Sequence, residues 1–288
     1  MISRIMTELE FPTEAIEYLA KKNAELSACE SVKDELHEAY DYLFDYRDGE
    51  YMPVLNTVAQ KSGIRVETVT MIFMLNAAIT AKYIYRSRGF SDELWLENMR
   101  DLRYKLLEYK KYAGDWGTNV GLWFKKFYNL KRFKLGRLQF QLERSNVDYK
   151  NAVKVGDPVI YCHIPSSGPL NIEEVRDSFR KARVWFAREL GDGAAPIFCD
   201  SWLLYPPMYK RLTEKSNIRK FAELFDVFET RESPENRNFW RVFYRDYSPE
   251  VLDEIEPKTS LERAVIELIR DGNTVGVGHG AVIVDGNF

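Results

Sequence analysis

Three stretches of the sequence hold side chains able to move protons or hold anions. The first is Cys162-His163-Ile164, which closes an apolar run and leads into Pro165-Ser166-Ser167-Gly168-Pro169. A histidine titrates near neutrality, so His163 is a candidate general base. The second is Phe198-Cys199-Asp200-Ser201-Trp202. A carboxylate among apolar neighbours is pushed up by burial unless a partner holds it down, so Asp200 is a second candidate base. Glu173, at the start of the helix expected after the serine-glycine loop, is a third. Cys162 and Cys199 each stand one residue from a candidate, which keeps a thiol nucleophile among the alternatives. However, the three cysteines (Cys29, Cys162, Cys199) are widely spaced and include no CxxC pair. They read as reduced, semi-buried thiols and offer no metal site. The third stretch is basic: Lys125, Lys126, Lys131, Arg132, Lys134 and Arg137. It is either a solvated linker-helix face or an anion-holding patch at a domain junction.

Two further motifs carry less. Gly276-Val277-Gly278-His279-Gly280 looks like a phosphate loop. It follows a helix and precedes only a short strand, the wrong context for a nucleotide fingerprint, and is expected to be a flexible closing segment. Ala59, Gly63 and Val69 have helix-turn-helix spacing, but the second helix continues as Met71-Ile72-Phe73-Met74-Leu75, too apolar for a DNA groove. The surrounding region is also acidic, and nucleic acid is not an expected partner.

These residues must be positioned by elements of two kinds. Up to about residue 130 the apolar spacing is helical: 12–30, 31–47 with Ser31 as N-cap, 52–62, 66–87, 91–112 with Ser91 as N-cap, and 120–130. From Phe133 alternation takes over, predicting a strand over 135–142, a partner over 149–153 and a strand over 158–164. A helix over 172–190, a strand over 195–204 and a helix over 207–215 follow. Residues 226–230 and 239–244 read as a terminal strand pair, and 260–270 as a helix started by Thr259 or Ser260. The expected architecture is α+β: a helical domain over 1–130 and a mixed α/β domain over 131–288. At 288 residues two domains are the default, and 30% charged residues with a net charge of −3 suit a cytoplasmic protein. No apolar run reaches the ~20 residues that span a bilayer, and no export signal is read at the N-terminus, so no membrane is expected. Charge is uneven: residues 1–100 carry 11 basic against 17 acidic side chains, and 101–137 carry 10 against 3.

The order strand, strand–loop–helix, strand–helix, strand, strand resembles the GNAT (acyl-CoA-dependent N-acyltransferase) plan. Gly136-Arg137-Leu138-Gln139-Phe140, His163-Ile164-Pro165 with Gly168-Pro169-Leu170, Ser201-Trp202-Leu203-Leu204 with Ser216-Asn217-Ile218, and the Gly276–Gly280 tail carry the resemblance. The chain is similar to bacterial acyltransferase-domain proteins joining an N-acyltransferase N-terminal helical domain to a GNAT-like C-terminal domain. The resemblance implies an acyltransferase taking acyl-CoA, expected to be acetyl-CoA, and a small-molecule amine, with no metal; a homodimer is compatible with it. It also implies a pyrophosphate cradle of Ile164, Ser166, Ser167, Gly168 and Leu170, with a helix N-terminus behind it. The usual cradle holds more glycine, and Pro169 removes an N–H donor. Tyr209, early in the helix after the splayed strand, matches the residue that protonates the departing thiolate. His163 and Asp200 remain the candidate bases. The competing reading is a catalytically silent module on the same scaffold, sensing a metabolite or binding a partner.

Overall fold

The computed structural model describes residues 2–191 and 193–288, which divide into two compact units, Met1–Phe133 and Lys134–Phe288. The first unit is helical, with α1 (Ile2–Glu8), α2 (Thr13–Ser27), α3 (Lys33–Leu43), α4 (Tyr51–Ser62), α5 (Val66–Ser87), α6 (Asp92–Ala113) and α7 (Lys125–Tyr128). Its axis is α5, where every residue from Thr68 to Leu75 is buried. The stretch that resembles a recognition helix is therefore core. Aromatic side chains tie the other helices to α5 through polar tips: Trp95 Nε1 donates to the Ala78 carbonyl (3.1 Å), and Tyr128 Oη to the Met74 carbonyl (2.7 Å). Such a tip satisfies the ring's one polar group while the ring fills the core. Ser91 caps α6 by accepting from the Leu94 amide (3.2 Å), as its position predicts. Ser31 does not cap α3; its hydroxyl lies 3.3 Å from Cys29 Sγ, and Val32 occupies the cap position. Among the described residues no single helix is long and apolar enough to cross a membrane.

The sheet holds β1 (Arg132–Leu135), β2 (Leu138–Arg144), β3 (Pro158–His163), β4 (Ala195–Ser201), β5 (Asp226–Arg231) and β6 (Val277–Val284), in the order β1-β2-β3-β4-β6-β5. Only β3 and β4 are described as parallel; β2/β3, β4/β6 and β5/β6 are antiparallel. The helices of this unit are α8 (Ile172–Trp185), α9 (Ala187–Leu190), α10 (Pro206–Tyr209), α11 (Asn217–Ala222), α12 (Trp240–Phe243), α13 (Pro249–Glu254) and α14 (Ser260–Arg270). One sheet face packs on α8, where the Phe140 and Phe179 rings meet at 6.2 Å. On the other, Tyr149 and Val153 of the β2–β3 connection cover Val159, Phe198 and Ala281.

Four expectations change. The single strand over 135–142 is two, β1 and β2, turned at Gly136-Arg137. Residues 149–153 form an isolated bridge, Tyr149 to Val153, outside the strands of the sheet among the described residues. Phe239–Tyr244 is a helical turn with Phe239 and Phe243 in contact at i, i+4 (4.4 Å), so β5 pairs with β6 instead. The glycine-rich tail is no closing segment but β6, flanked by β4 and β5 and largely buried. Glycine is disfavoured in strands and so reads as loop, but it also marks close backbone approach. A Cβ at Gly278 would stand 2.2 Å from the Leu204 carbonyl oxygen.

Candidate active site

The parallel ladder is short. Ile160 pairs with Ile197 and Tyr161 with Phe198, while β3 continues to His163 and β4 to Ser201. Past those two pairs the carboxyl ends of both strands extend beyond the ladder, the place where open α/β sheets take ligands. Side chains alternate across a strand, so Tyr161 and His163 share a face with Phe198 and Asp200. The two candidate bases are thus brought to one face of the sheet, on neighbouring strands.

The loop from Ile164 to Asn171 follows β3 and is shaped by a residue from the β1–β2 turn. Arg137 is 8% exposed, and its guanidinium donates to three loop carbonyls: Pro165 (3.0 Å), Gly168 (2.5 Å) and Pro169 (2.9 Å). The Arg137 amide in turn donates to Ser178 Oγ on α8 (2.7 Å). Arg137 is therefore neither part of a solvated face nor a free anion-binding cation. Gly168 has φ of +121°, a conformation that L side chains rarely adopt. Ser167 Oγ is buried and has no hydrogen-bond partner among the described residues. Behind the loop, Asn171 caps α8, accepting from the amides of Glu173 (2.9 Å) and Glu174 (3.5 Å). The cap engages those helix amides, and Glu173 and Glu174 place negative charge beside them. Glu173 is exposed in this first turn of α8.

Asp200 departs from expectation. It is an exposed carboxylate, its side chain 39% accessible, ion-paired to Arg231 of β5, and not an isolated charge in an apolar pocket. Register places it opposite His279 of β6, and His279 opposite Glu229 of β5. His279 Nδ1 lies 3.7 Å from Glu229 Oε2. Its ring is packed among Tyr161 (6.1 Å), Phe198 (5.7 Å) and Phe228 (4.6 Å), and its Nε2 is buried without a hydrogen-bond partner among the described residues. Burial holds the His279 imidazole below its ordinary pKa, although Asp200 and Glu229 pull the other way. Burial also raises the Tyr161 phenol, with the negative charge of Asp200 adding to it. Arg231, Glu229 and His279 were hidden in sequence because strand register alone brings them to Asp200. The glycines around His279 were the one available signal.

The imidazole makes a testable contribution to stability. Below the ordinary histidine pKa of about 6.5 the unfolded chain binds a proton at His279 that the folded chain resists. Stability should therefore fall as pH drops from 7 toward 5. Thermal melts across this range should show a shallower decline in His279→Gln than in the wild type; parallel curves would contradict this.

Tyr209 ends α10, mostly buried, and burial raises its phenol, with Glu223 adding and Arg219 opposing. Burial and a hydrogen bond with Cys199 push the Cys162 thiol well up, leaving little nucleophilic thiolate. Among the described residues no His, Cys, Asp and Glu cluster could hold a metal ion.

Residues 1–130 match the family described as the N-acyltransferase N-terminal domain, and residues 132–282 match the GNAT-like C-terminal domain. Among solved structures, the chain is similar to an acyltransferase in complex with decanoyl-CoA and teicoplanin, at 23% identity and a TM-score of 0.75 over 98% of this chain and 87% of that one. A mutant acyltransferase in complex with octanoyl-CoA gives the same identity, coverages and TM-score. At 23% identity these likenesses are of fold. No curated protein matches the sequence.

Proposed function

The chain belongs to the family that joins an N-acyltransferase N-terminal domain to a GNAT-like C-terminal domain, and on that premise we propose that it transfers an acyl group from acyl-CoA to an amine of a small molecule. The observation that carries the reading is the β3/β4 pair extending past its short ladder beside the loop that Arg137 braces. In this reading the loop around Ser166, Ser167 and Gly168 receives the pyrophosphate, with the orphaned Ser167 hydroxyl as one donor. Ile164 and Leu170 flank it. Acyl-CoA supplies an activated thioester at the strand ends. His163, or Asp200 oriented by Arg231, accepts the proton lost by the amine as it attacks. Tyr209 donates a proton to the leaving sulfur.

The solved relatives are described with octanoyl- and decanoyl-CoA, which supports a medium-chain donor over the acetyl group expected from sequence. One relative is described with teicoplanin, which supports a small-molecule acceptor. Free thiols at Cys29, Cys162 and Cys199 support a cytoplasmic setting.

Calorimetric titration with decanoyl-CoA, acetyl-CoA and CoA tests the reading: decanoyl-CoA should bind most tightly, and no binding of any at millimolar concentration would sink it. Tyr209→Phe should lower turnover by about 10²-fold or more while leaving the Kd for CoA unchanged. Unchanged turnover would remove Tyr209 from the reaction. The capped helix start and Pro169 favour the silent-module reading, which predicts binding with no transfer to any amine.

A further inference from the structure

The helical unit contains a cavity of about 650 Å³, within the size range of small-molecule sites. The segments that follow α3, α5 and α7 meet around it, contributing Phe44, Asp45 and Tyr46, then Arg88 and Phe90, then Lys131. Four of its lining residues, Phe44, Tyr46, Phe90 and Tyr128, are aromatic. Tyr46 is 64% exposed and stacks on Phe44 at 5.8 Å, leaving one ring face open. Tyr128 meets Phe44 edge-on at 5.9 Å from below.

The charge at the rim has one sign left over. Asp45 is the rim carboxylate, and it is already engaged by Lys125 (2.7 Å), Lys131 (3.2 Å) and the Asn129 amide (2.7 Å). The guanidinium of Arg88 is exposed and has no partner among the described residues. Of the lining residues, one carboxylate thus stands against two cations, and Lys125 outside the lining also holds that carboxylate. Helix C-termini normally favour cations, which would argue for a positively charged ligand. Here part of that partial charge is already engaged: Phe44 N donates to Tyr40 O, Arg88 N to Ile84 O, Phe90 N to Tyr85 O and Lys131 N to Lys126 O. The fixed charges decide.

We infer that this cavity is a ligand site in its own right, taking a planar aromatic molecule that carries a carboxylate, the ring against Tyr46 and the carboxylate on Arg88 and Lys131. A guanidinium matches a carboxylate with paired donors, and an open tyrosine face matches a flat ring. These features are independent of the acyl-transfer reading, and the site stands or falls without it.

The probes are 2-naphthoate and its neutral isostere 2-naphthamide, titrated calorimetrically against the full chain. Naphthoate should bind at one site per chain, at least about tenfold more tightly than naphthamide. Arg88→Gln and Lys131→Gln, both at exposed positions, should each remove most of that preference while leaving naphthamide binding unchanged. Tyr46→Ala should weaken both probes. The inference is overturned if naphthoate does not bind at millimolar concentration, if both probes bind equally, or if the Arg88 and Lys131 variants leave the preference intact.

Discussion

Arg137→Ala is expected to cost about 3 kcal/mol of stability and to weaken CoA binding by more than tenfold. The guanidinium donates three charge-assisted hydrogen bonds to the carbonyls of Pro165, Gly168 and Pro169. Alanine removes all of them at once and leaves a void where a buried cation stood. The loop then has no brace to hold those three carbonyls in place. Loss of that preorganisation is what the cofactor affinity would register. Arg137→Lys should recover little, because an ammonium cannot span three carbonyls with a planar fork. Urea denaturation and calorimetry with CoA read the two effects separately. Wild-type values for both in Arg137→Ala would show that the loop holds its shape unaided.

The second large effect is Gly278→Ala. The added methyl would sit 2.2 Å from the Leu204 carbonyl oxygen and 2.6 Å from its carbon, both backbone atoms that cannot rotate away. Either β6 or the turn at Trp202–Leu204 must shift, and β6 is hydrogen-bonded to β4 and β5. Overpacking of this kind costs about 1–3 kcal/mol, which lowers the melting temperature by roughly 2–12 °C in a unit of this size. Gly286→Ala, which meets nothing within 4 Å, is the matched control and should melt like the wild type. Equal melting of the two variants would mean that the close approach at Gly278 relaxes freely.

The helices were legible where apolar spacing and capping residues agreed. Residues 66–87 are legible to the residue because a long apolar stretch follows the Gly63 break, and α14 because Thr259 or Ser260 starts it and Gly272 ends it; the structure adds a capping box between Thr259 and Glu262. Strand β3 was legible as an unbroken apolar run. The failures share one cause: local composition was overridden by a distant contact. Val277–Val284 looked like loop because glycine is a poor strand former, and only the backbone at Leu204 explains why glycine is needed. Phe239–Tyr244 looked like strand because aromatics favour strands, yet its rings pair along a helical turn. At the site, Asp200 was visible as a type of residue, but its partner Arg231 lies 31 positions away on a strand that no local rule places beside it. Arg137 was grouped with its basic neighbours because a sequence does not show which carbonyls a guanidinium will meet.

The position of β6 has a consequence for synthesis on the ribosome. Among the six strands it is made last, yet it lies between β4 and β5. As the nascent chain emerges, β5 has no neighbour to pair with and β4 has only β3. Both leave a row of backbone donors and acceptors free until residues 277–284 clear the exit tunnel. The GNAT-like half of the chain should therefore be most prone to aggregate, and most dependent on chaperones, when elongation stalls between β5 and β6.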